Sequence, residues 1–371
     1  MKYNSVILNK VNRKSKLISF APGRTCLFGD HQDYLGLPVI ACAINRYIKL
    51  TALKNEEKIF NINKPDIGKK RSINIYDKIS FVEKGDHLLS ALKVLRRYGC
   101  IPNIGYDITI SGNLPINAGT SSSSAVVVSW VQFLLEAFGA NHKITPELIS
   151  QIAYEAEVLE HGNPGGKMDQ YSIGLGNIMY LETGENSSYE LFDCPIPGLI
   201  IGESGIPKET IGVLNELKEN AWQAIHTLAM CHKNFNIENV EKEDVKKLSH
   251  HLPDRLEPFF YAAVSNHDIT KKALSEFKKD HLDVEKIGVL MNKHHAILRD
   301  FLKITLPKID RMIEGALKVG AYGAKIVGSG KGGSIVAIAP EGKEQQVIDE
   351  IIKAGGKNAY LVEVDPGARI L

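Results

Sequence analysis

The stretch that most constrains this chain is Gly112-Asn-Leu-Pro-Ile-Asn-Ala-Gly119-Thr-Ser-Ser-Ser-Ser-Ala125. It stands between an alternating strand pattern, Tyr106–Ser111, and an apolar run, 125–138, long enough for a buried helix. Gly119 permits a tight backbone path where the strand gives way to the helix. The serines fall at the helix start, where N–H groups point outward and the dipole end is positive, a geometry suited to phosphate. Their hydroxyls also suit a phosphate-bound magnesium ion. A plain helix cap is the bland alternative, yet a cap uses one residue and four serines stand here.

The rest of the chain reads as mixed helix and strand. Strands are expected at 16–20, 37–44, 47–53, 106–111 and 199–202, with strands and a surface loop across 55–80. Helices are expected at 87–98, 125–138 and 145–160, with Thr145 opening the last of these. Residues 208–300 read as mostly amphipathic helix. The tail alternates helix 306–319, strands 324–328 and 334–339, helix 343–354 and strand 359–363, a βαββαβ order that suits helices on an antiparallel sheet. The pattern changes near 190–200, which divides the chain into 1–195 and 196–371. The 371 residues carry 45 Lys+Arg against 43 Asp+Glu, a net charge of +2, which gives no support to a general nucleic-acid or membrane-surface binder. The five cysteines (Cys26, Cys42, Cys100, Cys194, Cys231) form no CxxC pair and read as packing thiols in a reducing compartment. With no apolar run of membrane-spanning length and no leader-peptide pattern, a cytoplasmic location is expected.

Two further glycine-rich stretches carry chemistry. Gly328-Ser-Gly330-Lys-Gly-Gly333 spells GxGxxG, but a strand follows it instead of the helix a dinucleotide-binding turn requires. It is either a loose hairpin or a loop that a ligand or another backbone approaches closely. In Glu157-Val-Leu-Glu-His161-Gly-Asn-Pro-Gly-Gly166-Lys-Met-Asp169, one acid suits a metal and the other a reacting hydroxyl; two solvated carboxylates are the alternative. Near the N-terminus, Arg24 precedes Gly29-Asp30-His31-Gln32-Asp33-Tyr34, a loop dense in hydrogen-bonding groups that suits a polyhydroxylated ligand, with His31 a structural hydrogen-bonder rather than a base. His161, His250–His251 and His294–His295 have no metal-ligand spacing.

Together these stretches resemble the GHMP kinase superfamily, closest to galactokinase-like sugar kinases. Residues 21–34 are similar to the galactokinase signature GRxNLIGEHTDY, 117–125 to GxGLSSSA, 165–170 to CGIMDQ, and 328–333 to GGGFGG. The segments Leu298-Arg-Asp300 and Pro307-Lys-Ile-Asp310 and the tail from Asp365 continue the likeness in collinear order. The resemblance implies an α+β, two-lobed fold, with an N-terminal domain like ribosomal protein S5 domain 2 and a C-terminal ferredoxin-like α/β sandwich. It implies ATP and Mg²⁺ as cofactors and a small-molecule sugar as acceptor, phosphorylated at the anomeric hydroxyl, with no nucleic-acid, membrane or protein partner. It further implies that Asp169 accepts or orients the hydroxyl proton, beside Arg24, which holds that carboxylate ionised and screens the phosphoryl charge. Asp30, His31, Asp33 and Gly166 would contact the sugar. Gly119, Thr120, Ser121, Ser122, Ser123, Gly328 and Gly330 would hold ATP, and Ser123 with Glu157 the metal.

The chain departs from the galactokinase pattern at specific positions. Asp30 replaces the signature's Glu, Gln32 its Thr, Cys26 its Asn, and Ser124 the Ala of the nucleotide motif. The His161–Pro164 run is more like mevalonate kinases, which carry Lys at the Arg24 position, and 202–222 does not resemble the galactokinase stretch near galactose. A mevalonate-type kinase and a non-catalytic sugar-sensing protein are the alternatives.

Overall fold

The computed structural model describes residues 15–184, 187–208 and 211–371; the N-terminal segment read above for a leader pattern lies outside them. In chain order the elements are β1 (Lys16–Phe28), β2 (Val39–Lys54), β3 (Ile59–Lys64), β4 (Lys69–Asn74), α1 (His87–Arg97), β5 (Tyr106–Gly112), α2 (Ser122–Phe138), α3 (Pro146–Tyr154), α4 (Met168–Leu175), β6 (Ile178–Leu181) and β7 (Tyr189–Phe192). They continue with β8 (Leu199–Glu203), α5 (Ile211–Cys231), α6 (Val245–Ser249), α7 (Glu257–Phe277), α8 (Val284–Asp300), α9 (Pro307–Lys318), β9 (Gly323–Ile326), β10 (Ser334–Ile338), α10 (Glu344–Lys353), β11 (Asn358–Leu361) and β12 (Arg369–Ile370).

Two sheets organise the chain. The first has eight strands ordered β12-β1-β2-β5-β3-β4, with β6 and β7 continuing from β2. Its helices α1, α2 and α3 cover one face, and Trp130, Phe133, Phe60 and Tyr106 meet edge-on or tilted in that core. The second sheet is antiparallel, ordered β11-β8-β10-β9, and α9 and α10 pack on it through Ile309, Met312 and Val347. Numbered along the chain its strands run 4-1-3-2, the ferredoxin-like arrangement that the βαββαβ tail implied. A further helical core forms where α5 meets α7, with Ala224, Leu228, Leu256 and Phe260 buried between them.

The sequence reading differs from the structure at β1 and β2. The Ala21-Pro22-Gly23-Arg24 stretch, read as ending a strand, lies inside β1, and the two apolar runs 37–44 and 47–53 are one strand, β2. The register shifts between Pro22 and Gly23, so Pro22 faces Tyr47 while Gly23 faces Ile44. Proline lacks the N–H that a continuous ladder needs and is tolerated at such a bulge. The resulting bend lets β2 pair with β6 through residues 39–42 and with β5 through 48–54. Helix 145–160 also divides: its last turn, Glu155–Leu159, is a π-helix. Of the cysteines, Cys231 is exposed, not a packing thiol, and all five are unpaired.

Candidate active site

Arg24 leaves the bulge of β1 almost wholly buried, at 2% exposure. Its Nε donates to Asp169 Oδ1 at 2.8 Å, Nη2 lies 2.8 Å from the same oxygen, and Nη1 donates to the Gly119 carbonyl at 2.6 Å. Asp169 sits in the first turn of α4, and its other oxygen accepts from Ser121 Oγ at 2.5 Å. Burial pushes the Asp169 pKa up, but Arg24, Lys208 and the Ser121 hydrogen bond outweigh it and hold the carboxyl below its ordinary value. The pair joins β1, α4 and the start of α2 at one point.

That start is built unusually. Ser121 caps α2 in a left-handed conformation, φ 58 and ψ 45, and its hydroxyl serves Asp169 instead of a helix N–H. A serine held there is strained, a cost on the order of 1–3 kcal/mol that neighbouring structure must hold in place. Gly119 has φ +90, and a side chain there would approach the Val327 carbonyl to 3.4 Å. The glycine loop 328–333 therefore lies against the loop at Ala118 and Gly119, and Ser334 Oγ donates to the Ala118 carbonyl. Gly328 and Ser329 line the cleft, whereas Gly330 is turned against Ile304.

The cleft at this junction is lined by Arg24, Asp30, His31, Asp33, Ser123, Glu157, Gly166, Asp169 and Lys208, of which Asp30 and His31 are buried. Glu157 is placed by the π-turn, and Gln170 Nε2 donates to its Oε2 at 2.7 Å. Ser123 is exposed on the first turn of α2; Ser122 beside it is half-buried, and Thr120 is buried with its hydroxyl unpartnered. Asp33 receives the Tyr34 amide, and its pKa is pushed up to about 6, first by burial and then by the Asp169 charge. Gly166 packs so closely that a Cβ would sit 2.4 Å from the Asp33 carboxyl. His31 donates or accepts through Nδ1 with the Tyr34 hydroxyl at 3.2 Å, and burial pushes its pKa down to about 4, so it carries no charge at neutral pH.

Several residues here escaped the sequence reading. Lys208 lines the cleft with no hydrogen-bond or ion-pair partner among the described residues; burial lowers its pKa while Asp169 raises it. A lone lysine after Gly-Ile-Pro carried no motif. Lys325, wholly buried in β9, bridges to Asp30 Oδ2 at 2.6 Å, and its one signal was a charge inside an apolar strand pattern. Among the described residues no group of three or more His, Cys, Asp and Glu side chains gathers in a metal-binding arrangement. His161 meets Ser90 Oγ at 3.2 Å, and His294 and His295 are buried. Ser123 also borders a second trough, lined by Lys64, Lys69, Lys70, Arg71 and Lys84 together with Glu83 and Asp86.

Residues 86–177 match the GHMP kinases N terminal domain and residues 270–358 the GHMP kinases C terminal domain; residues 9–52 match the galactokinase galactose-binding signature. The chain belongs to the GHMP kinase family. It is accordingly an ATP-dependent kinase. A galactokinase of Pyrococcus furiosus is 28% identical over 354 residues, covering 91% of this chain and 93% of its own length. A mevalonate kinase of Thermococcus gammatolerans is 26% identical over 351 residues, covering 92% and 94%. Among solved structures, Lactococcus lactis galactokinase complexed with galactose superposes with a TM-score of 0.84 at 21% identity over 96% of each chain. Methanococcus jannaschii mevalonate kinase gives 0.71 at 21% identity, covering 95% and 100%. At these identities the superpositions establish the fold. No helix among the described residues is long and apolar enough to cross a membrane.

Proposed function

We propose that this GHMP kinase transfers the γ-phosphate of ATP to a monosaccharide, at the anomeric hydroxyl. The observation that carries the reading is the Arg24–Asp169–Ser121 group facing Asp33 and Gly166 across one cleft. Asp169, kept ionised, would accept or orient the hydroxyl proton, and Ser121 would fix the carboxylate's rotation. Asp33, His31 and the Gly166 backbone would meet sugar hydroxyls. The phosphates would lie on the amides of residues 119–123 at the start of α2, with the rest of the nucleotide toward the lysine-rich trough.

Arg24 turns Nε and Nη2 to Asp169 and Nη1 to the Gly119 carbonyl, while Lys208 lines the same cleft with no hydrogen-bond or ion-pair partner among the described residues and would meet the transferring phosphoryl group. Ser123 and Glu157 fit a magnesium ion, which takes one or two protein oxygens and completes its shell with phosphates and water; Glu157 keeps one oxygen free of Gln170. When bound, that ion supplies positive charge at the phosphate oxygens.

Incubating the protein with ATP, Mg²⁺ and a panel of neutral, deoxy and acidic sugars beside mevalonate tests the reading. ADP release with one sugar class supports it; release with mevalonate alone replaces it. The mevalonate alternative is kept because similar proteins include mevalonate kinases and because of the His161–Pro164 run.

A further inference from the structure

Asp30 stands where the resemblance placed a sugar-binding acid, yet its surroundings are of another kind. It is 1% exposed. One oxygen accepts from Lys325 Nζ at 2.6 Å and the other from the Gly328 amide at 2.7 Å. Lys325, itself wholly buried, also donates to the Cys26 carbonyl at 2.9 Å, and His294 Nδ1 lies 4.0 Å from Asp30. The carboxyl is held at about 2: burial pushes it up, but Lys325 and His294 more than compensate. One side chain thus ties the end of β1, strand β9 and the first residue of the glycine loop together.

A buried ion pair adds little net stability over well-packed apolar groups, so its effect lies chiefly in fixing geometry. The geometry fixed here is the height of Gly328. A side chain on Gly328 would come within 3.7 Å of the Gly119 carbonyl and 3.9 Å of Arg24 Nη2, so the loop rests on the phosphate loop and beside the catalytic arginine. We propose that Asp30 and Lys325 form a latch that sets the glycine loop over the phosphate loop, making Asp30 a positioning residue for the nucleotide end of the cleft instead of an acceptor ligand. The shortened side chain is what this requires: a glutamate in its place would push the Gly328 amide or Lys325 outward. The acceptor end keeps Asp33, which has no ion-pair partner among the described residues. The inference rests on the reading that the phosphate loop takes the nucleotide and the Asp33 side the acceptor.

Two variants test it on the full chain. Asp30→Glu keeps the charge and its lysine partner but moves the carboxylate off the Gly328 amide. The double variant Asp30→Asn with Lys325→Met removes both charges together, so no unpaired charge is left buried. Affinity for a non-hydrolysable ATP analogue is measured by calorimetry and the acceptor KM by ADP release. The latch predicts nucleotide affinity weakened about tenfold in Asp30→Glu, the scale of one charge-assisted hydrogen bond, with acceptor KM within about twofold. Unchanged nucleotide affinity overturns the latch, and a loss shared equally between nucleotide and acceptor does so as well. Because the calorimetry needs no acceptor, a protein inactive on every sugar would defeat the proposed function and still leave the latch tested.

Discussion

At the scale of single residues, two of the cleft acids, Asp169 and Asp33, are tuned in opposite directions. Asp169 is held below its ordinary pKa by Arg24, Lys208 and Ser121 against the effect of burial, whereas Asp33, with no ion-pair partner among the described residues, is raised to about 6 by burial and by Asp169. The folded chain therefore keeps a proton on Asp33 after the unfolded chain has lost it, and Asp33 costs stability as pH rises from about 4 to about 6. Asp33→Asn should accordingly gain thermal stability relative to the parent at pH 7.5 compared with pH 4.5, measured as the difference in Tm at each pH; an equal difference at both would mean Asp33 is not desolvated. At the same scale, Ser121→Ala removes the hydrogen bond to Asp169 and leaves the α2 start in place. Steady-state kinetics should show kcat reduced about tenfold, the worth of one hydrogen bond to a charged group, with a folded protein by circular dichroism.

At the scale of elements, the site depends on three irregularities: the Pro22/Gly23 bulge, the left-handed start of α2 and the π-turn carrying Glu157. Periodicity reads regular elements well, which is why α1, α2, β5, and the βαββαβ tail were legible from spacing alone. A bulge, a π-turn or a serine with positive φ leaves no period, because each is set by contacts between segments far apart in number. The same reason hid Lys325, whose partner Asp30 lies 295 positions away. Arg24 and Asp169 were legible through the family resemblance rather than through spacing, and the short strands β6, β7 and β12 were missed. Gly166 offers an element-level test. Gly166→Ala puts a methyl within 2.4 Å of the Asp33 carboxyl, so acceptor KM should rise at least about tenfold while nucleotide affinity stays put, read by the same two assays.

At the scale of the whole molecule, the chain returns at its end to the sheet it began with. The Asp365 amide donates to Ala43, the Ala368 amide to Ile173, and β12 pairs with β1 through Ser19 and Phe20. Arg369 lies over the Phe20 ring at 4.1 Å, and Gly176 is pressed against Pro366. Deleting residues 366–371 should lower Tm by about 1–3 degrees, as a loss on the order of 1–2 kcal/mol does in a chain of this size, and an unchanged Tm would show the return to be incidental. The site as a whole turns on the convergence of β1, α2 and α4 at Asp169. The most direct test is single-turnover transfer from ATP to the best acceptor by Asp169→Ala. A drop on the order of 10²–10⁴ in rate, with nucleotide affinity retained, is the result expected of a group that handles the attacking hydroxyl's proton. Transfer at the parent's rate would contradict it.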